Sequence, residues 1–350
     1  MEIENKKVLV VGGAGFVGSN LVYELLRQNP AQVIVVDNLI SSDARNIPED
    51  KRVIFICGSI ADDAILNNLP LDLNFVFHLA CFHGNQSSIQ NPLADHDNNT
   101  ITSLKLFDFL SHKCKNLQKV VYAAAGCAVA EKTYGEAKPT REDAPVSLFH
   151  DSPYSISKLI GELYGNYFFQ RYQLPFVKAR FQNVYGPREI LGAGNWRGTV
   201  HSVWRNVTPT FIWKSLNGEA LTLDNQGQST RDFIFVEDMA RGLVACALKG
   251  ESGGIYNLAS GVETTIMDLA TTINEITGNK TELVLKGSRD WDKSGRRFGS
   301  TEKSKNELGF QSQVSIREGL EKTIAWTKAN QSLIGECMHK HDYFMNKSQA

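Results

Sequence analysis

Residues 7 to 18 read Lys7-Val-Leu-Val-Val-Gly12-Gly-Ala-Gly15-Phe-Val-Gly18, and the chain continues Ser-Asn-Leu-Val-Tyr-Glu-Leu-Leu. An apolar β-branched run that ends in glycines and passes into an amphipathic stretch predicts a buried strand, a tight turn and a helix. Gly12, Gly15 and Gly18 leave room for a pyrophosphate to approach backbone N–H groups at a helix N-terminus. A second strand, Gln32-Val-Ile-Val-Val, ends at Asp37, about twenty residues beyond the turn, where a carboxylate suits adenosine ribose hydroxyls and repels the 2′-phosphate of NADP. A glycine-rich loop alone is only turn chemistry. Strand, glycines, helix, strand and acid in that order point to NAD.

Working outward, further short apolar runs alternate with helical stretches: Arg52-Val-Ile-Phe-Ile, Phe75-Val-Phe-His-Leu-Ala, Lys119-Val-Val-Tyr-Ala and Pro175-Phe-Val-Lys-Ala-Arg. This alternation predicts an α/β fold with a doubly wound parallel sheet whose ligands bind beyond the carboxyl ends of its strands. After Gly186-Pro187 the rhythm stops, and Arg188 to about Asn206 reads as a substrate-side loop. Helices are expected near 209–217, 236–249 and 266–277, with a strand near Glu282-Leu-Val-Leu. Arg289, Arg296 and Arg297 lie in a polar stretch that reads equally as solvated surface or anion clamp. The last twenty residues read as a frayed tail.

A chain of 350 residues is long enough for one large α/β domain with a second, smaller lobe. A formal net charge of −1 gives no electrostatic footprint for nucleic acid or an anionic membrane. No apolar run reaches membrane-spanning length, and the polar start is unlike a signal peptide, so a cytoplasmic location is the expectation. Cys57, Cys81, Cys114, Cys127, Cys246 and Cys337 are scattered, with no Cys-x-x-Cys pair, so no metal site is indicated.

Residues 152 to 162, Ser-Pro-Tyr-Ser-Ile-Ser-Lys-Leu-Ile-Gly-Glu, place Tyr154 and Lys158 four positions apart at a helix start, on one helical face. An ammonium there stabilises a phenolate, and such a tyrosine is a general base for a sugar or alcohol hydroxyl. By itself the pair reads first as a solvated helix face.

Taken together, the motifs resemble the extended short-chain dehydrogenase/reductase superfamily in its NAD-dependent nucleotide-sugar epimerase/dehydratase branch, from residue 7 to about 328. The landmarks are Gly12 to Gly18, Asp37-Asn38, His78-Leu-Ala, Asn99, Tyr154 to Lys158, Arg180-Phe-Gln-Asn-Val-Tyr-Gly-Pro, Thr230-Arg-Asp-Phe-Ile-Phe-Val-Glu-Asp, Tyr256-Asn-Leu-Ala-Ser-Gly and Leu308-Gly-Phe. The resemblance implies a Rossmann sheet over residues 1–182, with part of 230–260 returning to it, and a smaller α/β C-terminal lobe for the nucleotide sugar over 183–330. It implies NAD as cofactor and hydride abstraction from the sugar ring, usually at C4, while the tyrosine takes the hydroxyl proton.

By the same resemblance Tyr154 is the acid/base and Lys158 its partner, also holding the nicotinamide ribose. Gly12, Gly15, Phe16 and Val17 would cradle the pyrophosphate, and Asp37 and Asn38 the adenosine ribose. Ser59 and Ile60 stand at the adenine site, where relatives carry Asp-Ile. Leu79, Ala80 and Asn99 line the cofactor, and Asn183, Arg231 and Arg296 grip the sugar diphosphate, a task suited to a guanidinium fork. For Arg231 an ion pair with Asp232 is the plain alternative. A homodimer through a four-helix bundle is implied, with Leu104, Leu106, Phe107, Phe109 and Leu110 as a compatible face that would equally pack on the sheet. Trp196, Arg197, Trp204 and Trp213 are stacking candidates for the base.

One departure restricts the reaction. Relatives place a Ser or Thr three residues before the valine of a Val-Tyr-Gly turn. Here that count lands on Gly126, with Cys127 one residue on, a poor substitute or a packed core residue. Dehydratases follow their Thr with Asp-Glu, where this chain has Cys127 and Ala128, so a 4,6-dehydratase is disfavoured. A C4 epimerase is the first expectation, a nucleotide-sugar C4 dehydrogenase or ketoreductase the second, and a non-catalytic NAD-sensing protein the third.

Overall fold

In the computed structural model, which describes residues 1–126, 138–289 and 295–347, the glycine-rich run folds as strand, turn and helix. Strand β1 is Lys7–Val11 and the helix after the turn is Phe16–Leu26. Six further strands join β1: β2 (Gln32–Asp37), β3 (Val53–Cys57), β4 (Phe75–His78), β5 (Lys119–Ala125), β6 (Phe176–Phe181) and, after three short strands elsewhere, β10 (Ile255–Leu258). Among the described residues they form a seven-stranded parallel sheet in the order β10-β6-β5-β4-β1-β2-β3. The order reverses between β1 and β4, which puts the crevice of a doubly wound sheet at their carboxyl ends. Register brings Val11 opposite both Val36 and His78, so the glycine turn, Asp37 and residues 79–83 emerge at one edge.

Period-two alternation along β1 sends Val8 and Val10 into one core, and Leu9 and Val11 into the other. The second core receives the helices Thr102–Lys113 and Pro153–Tyr172. Leu106, Phe107, Phe109 and Leu110 are buried in it, with Leu104 packed against it, so of the two readings left open for these positions they take the one that packs on the sheet. The longer helix lies close because two of its residues lack side chains: a Cβ on Gly161 would stand 2.1 Å from the Tyr122 hydroxyl, and one on Gly165 2.0 Å from the Phe176 ring. Glu162 on this helix makes a two-pronged ion pair with Arg180 of β6, at 3.0 and 2.9 Å, with both side chains buried.

The C-terminal half is built on a smaller sheet of β11 (Glu263–Thr265), β9 (Thr230–Phe235) and β7 (Asn183–Tyr185), in that order, beside a two-stranded pair of β8 (Thr222–Leu223) and β12 (Val284–Leu285). Its core gathers Tyr185, Phe211, Phe233, Phe235, Leu269 and Leu320.

The expected frayed tail is corrected. Residues 331–347 form two helices, Gln331–His339 and Asp342–Lys347. Ile334 and Cys337 are buried against Ile190, Leu191 and Ala193, the His341 ring bonds the Gly192 carbonyl at 2.9 Å, and Phe344 stacks on Trp196 at 5.2 Å. Apolar burial outweighs the polar terminus.

Candidate functional site

The turn after β1 is fixed by space. Gly12 has φ +87°, and a Cβ there would meet the Ala80 backbone nitrogen at 2.5 Å. A Cβ on Gly18 would sit 2.1 Å from the Gly12 carbonyl oxygen. Gly15 caps the helix Phe16–Leu26 with no side-chain hydrogen bond, so the first-turn amides stay available to an anion. Phe16 and Val17 open that helix. The backbone amides of Leu79 and Ala80 both donate to Val11, at 2.8 and 2.9 Å, which draws the β4 extension under the turn. A cradle that backbone atoms would deny to side chains is the shape a bound pyrophosphate requires, so the residues present fit NAD.

Asp37, at the end of β2, is buried and accepts from the Ala14 amide (3.0 Å), the Leu39 amide (2.9 Å) and the Ser42 hydroxyl (2.7 Å). Asn38 is exposed and lies 3.5 Å from Asn98. Ile60 is buried in the second core, whereas the Ser59 hydroxyl accepts from the Ala61 amide at 3.2 Å and closes a local turn.

Tyr154 follows Ser152, whose hydroxyl accepts from the Ser155 amide, and Pro153 at the first helical position; these residues start the helix where the tyrosine must stand. The Tyr154 amide donates to Ser88 at 3.1 Å. Lys158 is buried, donates to the Ala123 carbonyl at 2.8 Å and holds Nζ 6.0 Å from the Tyr154 ring centroid. Asn99 lies in the π-helical turn His96–Ile101, a feature that often marks functional sites. Its oxygen accepts from the Phe82 amide at 2.7 Å, and its nitrogen donates to Asp95 at 2.8 Å and to Ser157 at 3.1 Å. Asn99 thus ties the 79–83 segment to the tyrosine's helix.

On the other side, Asn183 opens β7 and pairs with Phe233 of β9. Arg231 donates to the Thr230 carbonyl at 2.7 Å. Asp232 engages Ser260, Gly261 and Gly299, so it is not the ion-pair partner of Arg231. Arg296 grips Glu263 at 2.8 and 2.6 Å and holds that carboxyl below its usual range. Its neighbour Arg297, which the sequence offers only as one of three arginines of a solvated surface or an anion clamp, has a buried Nε with no hydrogen-bond partner among the described residues.

At Gly126 the departure has a steric cause: a Cβ there would lie 2.5 Å from the Gln182 side-chain nitrogen and 2.9 Å from the Phe181 carbonyl. No side chain fits that position. Cys127, Ala128 and Val129 lie outside the described residues.

A polar wall also comes from the 186–206 segment. His83 is half-buried, with its ring edge to face on Tyr154 at 5.7 Å and 84°. Its Nε2 bonds the Asn206 oxygen at 3.3 Å, and the Asn206 nitrogen donates to Glu189. Burial pushes the Glu189 carboxyl up to about 7 and, aided by the Arg197 charge, the His83 imidazole down to about 4. Arg197 and Arg205 are held by backbone carbonyls, those of His83 and His201 for the first and of Ser41 and Ala193 for the second. Arg197 and Trp196 line a cleft of about 370 Å³ with Ile40, Phe82 and Asn91. Apart from Arg197 and Trp196, which the sequence offered only as stacking candidates, no spacing rule points to this wall. The one signal for His83 is its position five residues after His78.

A dinucleotide cradle at the switch point of a parallel sheet, with a Tyr–Lys pair on a neighbouring helix, defines a nicotinamide-dependent enzyme of the short-chain dehydrogenase/reductase type. The chain belongs to the NAD dependent epimerase/dehydratase family, whose model matches residues 8–259, and NAD is its cofactor. Among solved structures it is similar to the Bordetella bronchiseptica enzyme WbmF in complex with NAD+ and UDP, with 57 % identity, coverage of 99 % of this chain and 98 % of that one, and a TM-score of 0.89. The UDP-glucose 4-epimerase of Thermotoga maritima with UDP-glucose is 30 % identical over 93 % of this chain and 99 % of its own, with a TM-score of 0.82. The UDP-glucose 4-epimerase of Mycolicibacterium smegmatis is 30 % identical over 98 % of this chain and 100 % of its own.

Proposed function

We propose that the chain is an NAD-dependent nucleotide-sugar 4-epimerase working through a transient 4-keto sugar, with Tyr154 as acid/base and Lys158 as its partner. The observation that carries the reading is the buried Lys158 ammonium one helical turn from Tyr154, 6.0 Å from its ring. Similarity to 4-epimerases along nearly the whole chain supports it. Bound NAD supplies a hydride acceptor that later returns the hydride. Lys158 favours the phenolate of Tyr154, which accepts the C4 hydroxyl proton as that carbon is oxidised and returns it when the keto sugar is reduced on its other face.

Gly12, Gly15, Phe16 and Val17 would hold the pyrophosphate, Asp37 and Asn38 the adenosine ribose, Ser59 and Ile60 the adenine edge, and Leu79, Ala80, Asn99 and Lys158 the nicotinamide side. Residues 1–182 thus serve the cofactor and 183–330 mainly the sugar nucleotide. Asn183, Arg231 and the 296–297 pair would receive the diphosphate, and the buried Nε of Arg297, unpartnered among the described residues, supports adding that residue to Arg296. A homodimer and a cytoplasmic location belong to the same proposal. Ile156, Leu163 and Tyr167, exposed apolar residues at helical spacing on Pro153–Tyr172, support the first. Cys57, Cys81, Cys114, Cys246 and Cys337, all free thiols, support the second.

A C4 ketoreductase is the second reading, favoured by the absence of room for a hydroxyl at Gly126. The test is Tyr154→Phe assayed on UDP-sugars: turnover should fall at least about a hundredfold, the lower range for acid/base assistance, with folding and NAD content unchanged. Near-normal turnover refutes the role of Tyr154.

A further inference from the structure

We propose that His83 reads the sugar beside Tyr154: fixed as the Nε2–H tautomer by Asn206 and Glu189, it presents Nδ1 as an acceptor to a hydroxyl or amide N–H on the carbon next to the reacting one. The inference rests on the nucleotide-sugar reading above and names a residue that selects among such substrates.

The tautomer follows from a chain of donors and acceptors. Glu189, ionised or neutral, keeps one oxygen that only accepts, and the Asn206 amide turns its nitrogen toward that Oε1. The Asn206 oxygen then faces the ring, 3.3 Å from Nε2, and an amide oxygen cannot donate. Nε2 therefore carries the proton, and the neutral ring has its lone pair on Nδ1. Burial and the neighbouring Arg197 charge hold the ring in that neutral form at neutral pH.

Nδ1 makes no hydrogen bond among the described residues. It is also not enclosed like the unpartnered ring nitrogens of His78 and His150. The ring stands edge to face on Tyr154, which sets this acceptor beside the residue assigned to the reacting hydroxyl. Position 126 has no hydroxyl, and among the described residues His83 and the Lys158 ammonium are polar groups seated on the tyrosine ring. An acceptor placed to receive a donor discriminates against an analogue that lacks it.

Two measurements test this on the full chain with NAD bound. The first is ¹⁵N NMR of imidazole-labelled protein, which should show the His83 Nδ1 unprotonated and Nε2 protonated, with Asn206→Ala moving the ring toward a tautomer mixture. A protonated Nδ1 in the wild type overturns the proposal. The second compares His83→Phe, which keeps the ring edge on Tyr154, with wild type. Affinity for UDP alone should be unchanged, while KM for UDP-glucose and UDP-N-acetylglucosamine rises about tenfold or more, the scale of one lost hydrogen bond to a buried group. The 3-deoxy analogue of UDP-glucose should bind both proteins equally weakly. Unchanged KM for His83→Phe, or full affinity of wild type for the deoxy analogue, overturns it. If wild type turns over no UDP-sugar, the parent reading fails, and the NMR result still decides the tautomer.

Discussion

The turn after β1 and the wall from residues 186–206 are organised by opposite means. In the turn, backbone amides face the ligand, and the sequence is constrained by what must be missing: a Cβ at Gly12 or Gly18 collides with backbone. In the wall, side chains carry the chemistry. Glu189, Arg197, Arg205 and Asn206 are brought from a loop without periodicity onto one another, His83 and Ser41. A site made of backbone writes its spacing into the chain, whereas one made of converging loop side chains does not.

The largest effect that would break this contrast belongs to the turn. Gly18→Ala places a methyl group 2.1 Å from the Gly12 oxygen and should cost about 3 kcal/mol or more in stability, with loss of bound NAD. Denaturant unfolding and nucleotide content after heat release measure both. A stable, NAD-loaded Gly18→Ala protein would mean that the turn is not set by space.

The wall should respond instead to charge. Glu189 keeps its proton up to about 7 in the folded chain against 4.5 in the unfolded one. Its contribution is therefore favourable below 4.5 and is lost as pH rises from there through 7, by up to about 3 kcal/mol. Glu189→Gln removes that dependence. The stability difference between variant and wild type, followed by thermal melts from pH 4.5 to 8, should grow in the variant's favour with pH. A difference independent of pH would mean that the carboxylate is solvated or paired.

The same contrast explains what was legible. Asp37 and the glycines declare themselves by order, and Tyr154 and Lys158 by a four-residue step. The parallel sheet was readable because buried strands on both faces are nearly continuous apolar runs. The inward direction of Leu104 to Leu110 was not, since an apolar helix face fits a sheet or a partner equally. The helices at 331–347 were missed because the apolar residues that anchor them, Ile334, Cys337 and Phe344 among them, gain meaning only against Ile190, Leu191 and Trp196. Gly126 was recognised as a departure, but its reason, the Phe181 carbonyl behind it, lies 55 positions away in the numbering.

The central claim is that Tyr154 moves only a hydroxyl proton while the hydrogen on C4 leaves and returns without meeting water. Incubation of the NAD-loaded protein with UDP-sugars in D₂O, read by mass spectrometry and proton NMR, tests it most directly. The account predicts the C4 epimer with no deuterium on any ring carbon and no net change in composition. A product lighter by two hydrogens with reduced nicotinamide left on the protein, or deuterium on a ring carbon, would contradict it.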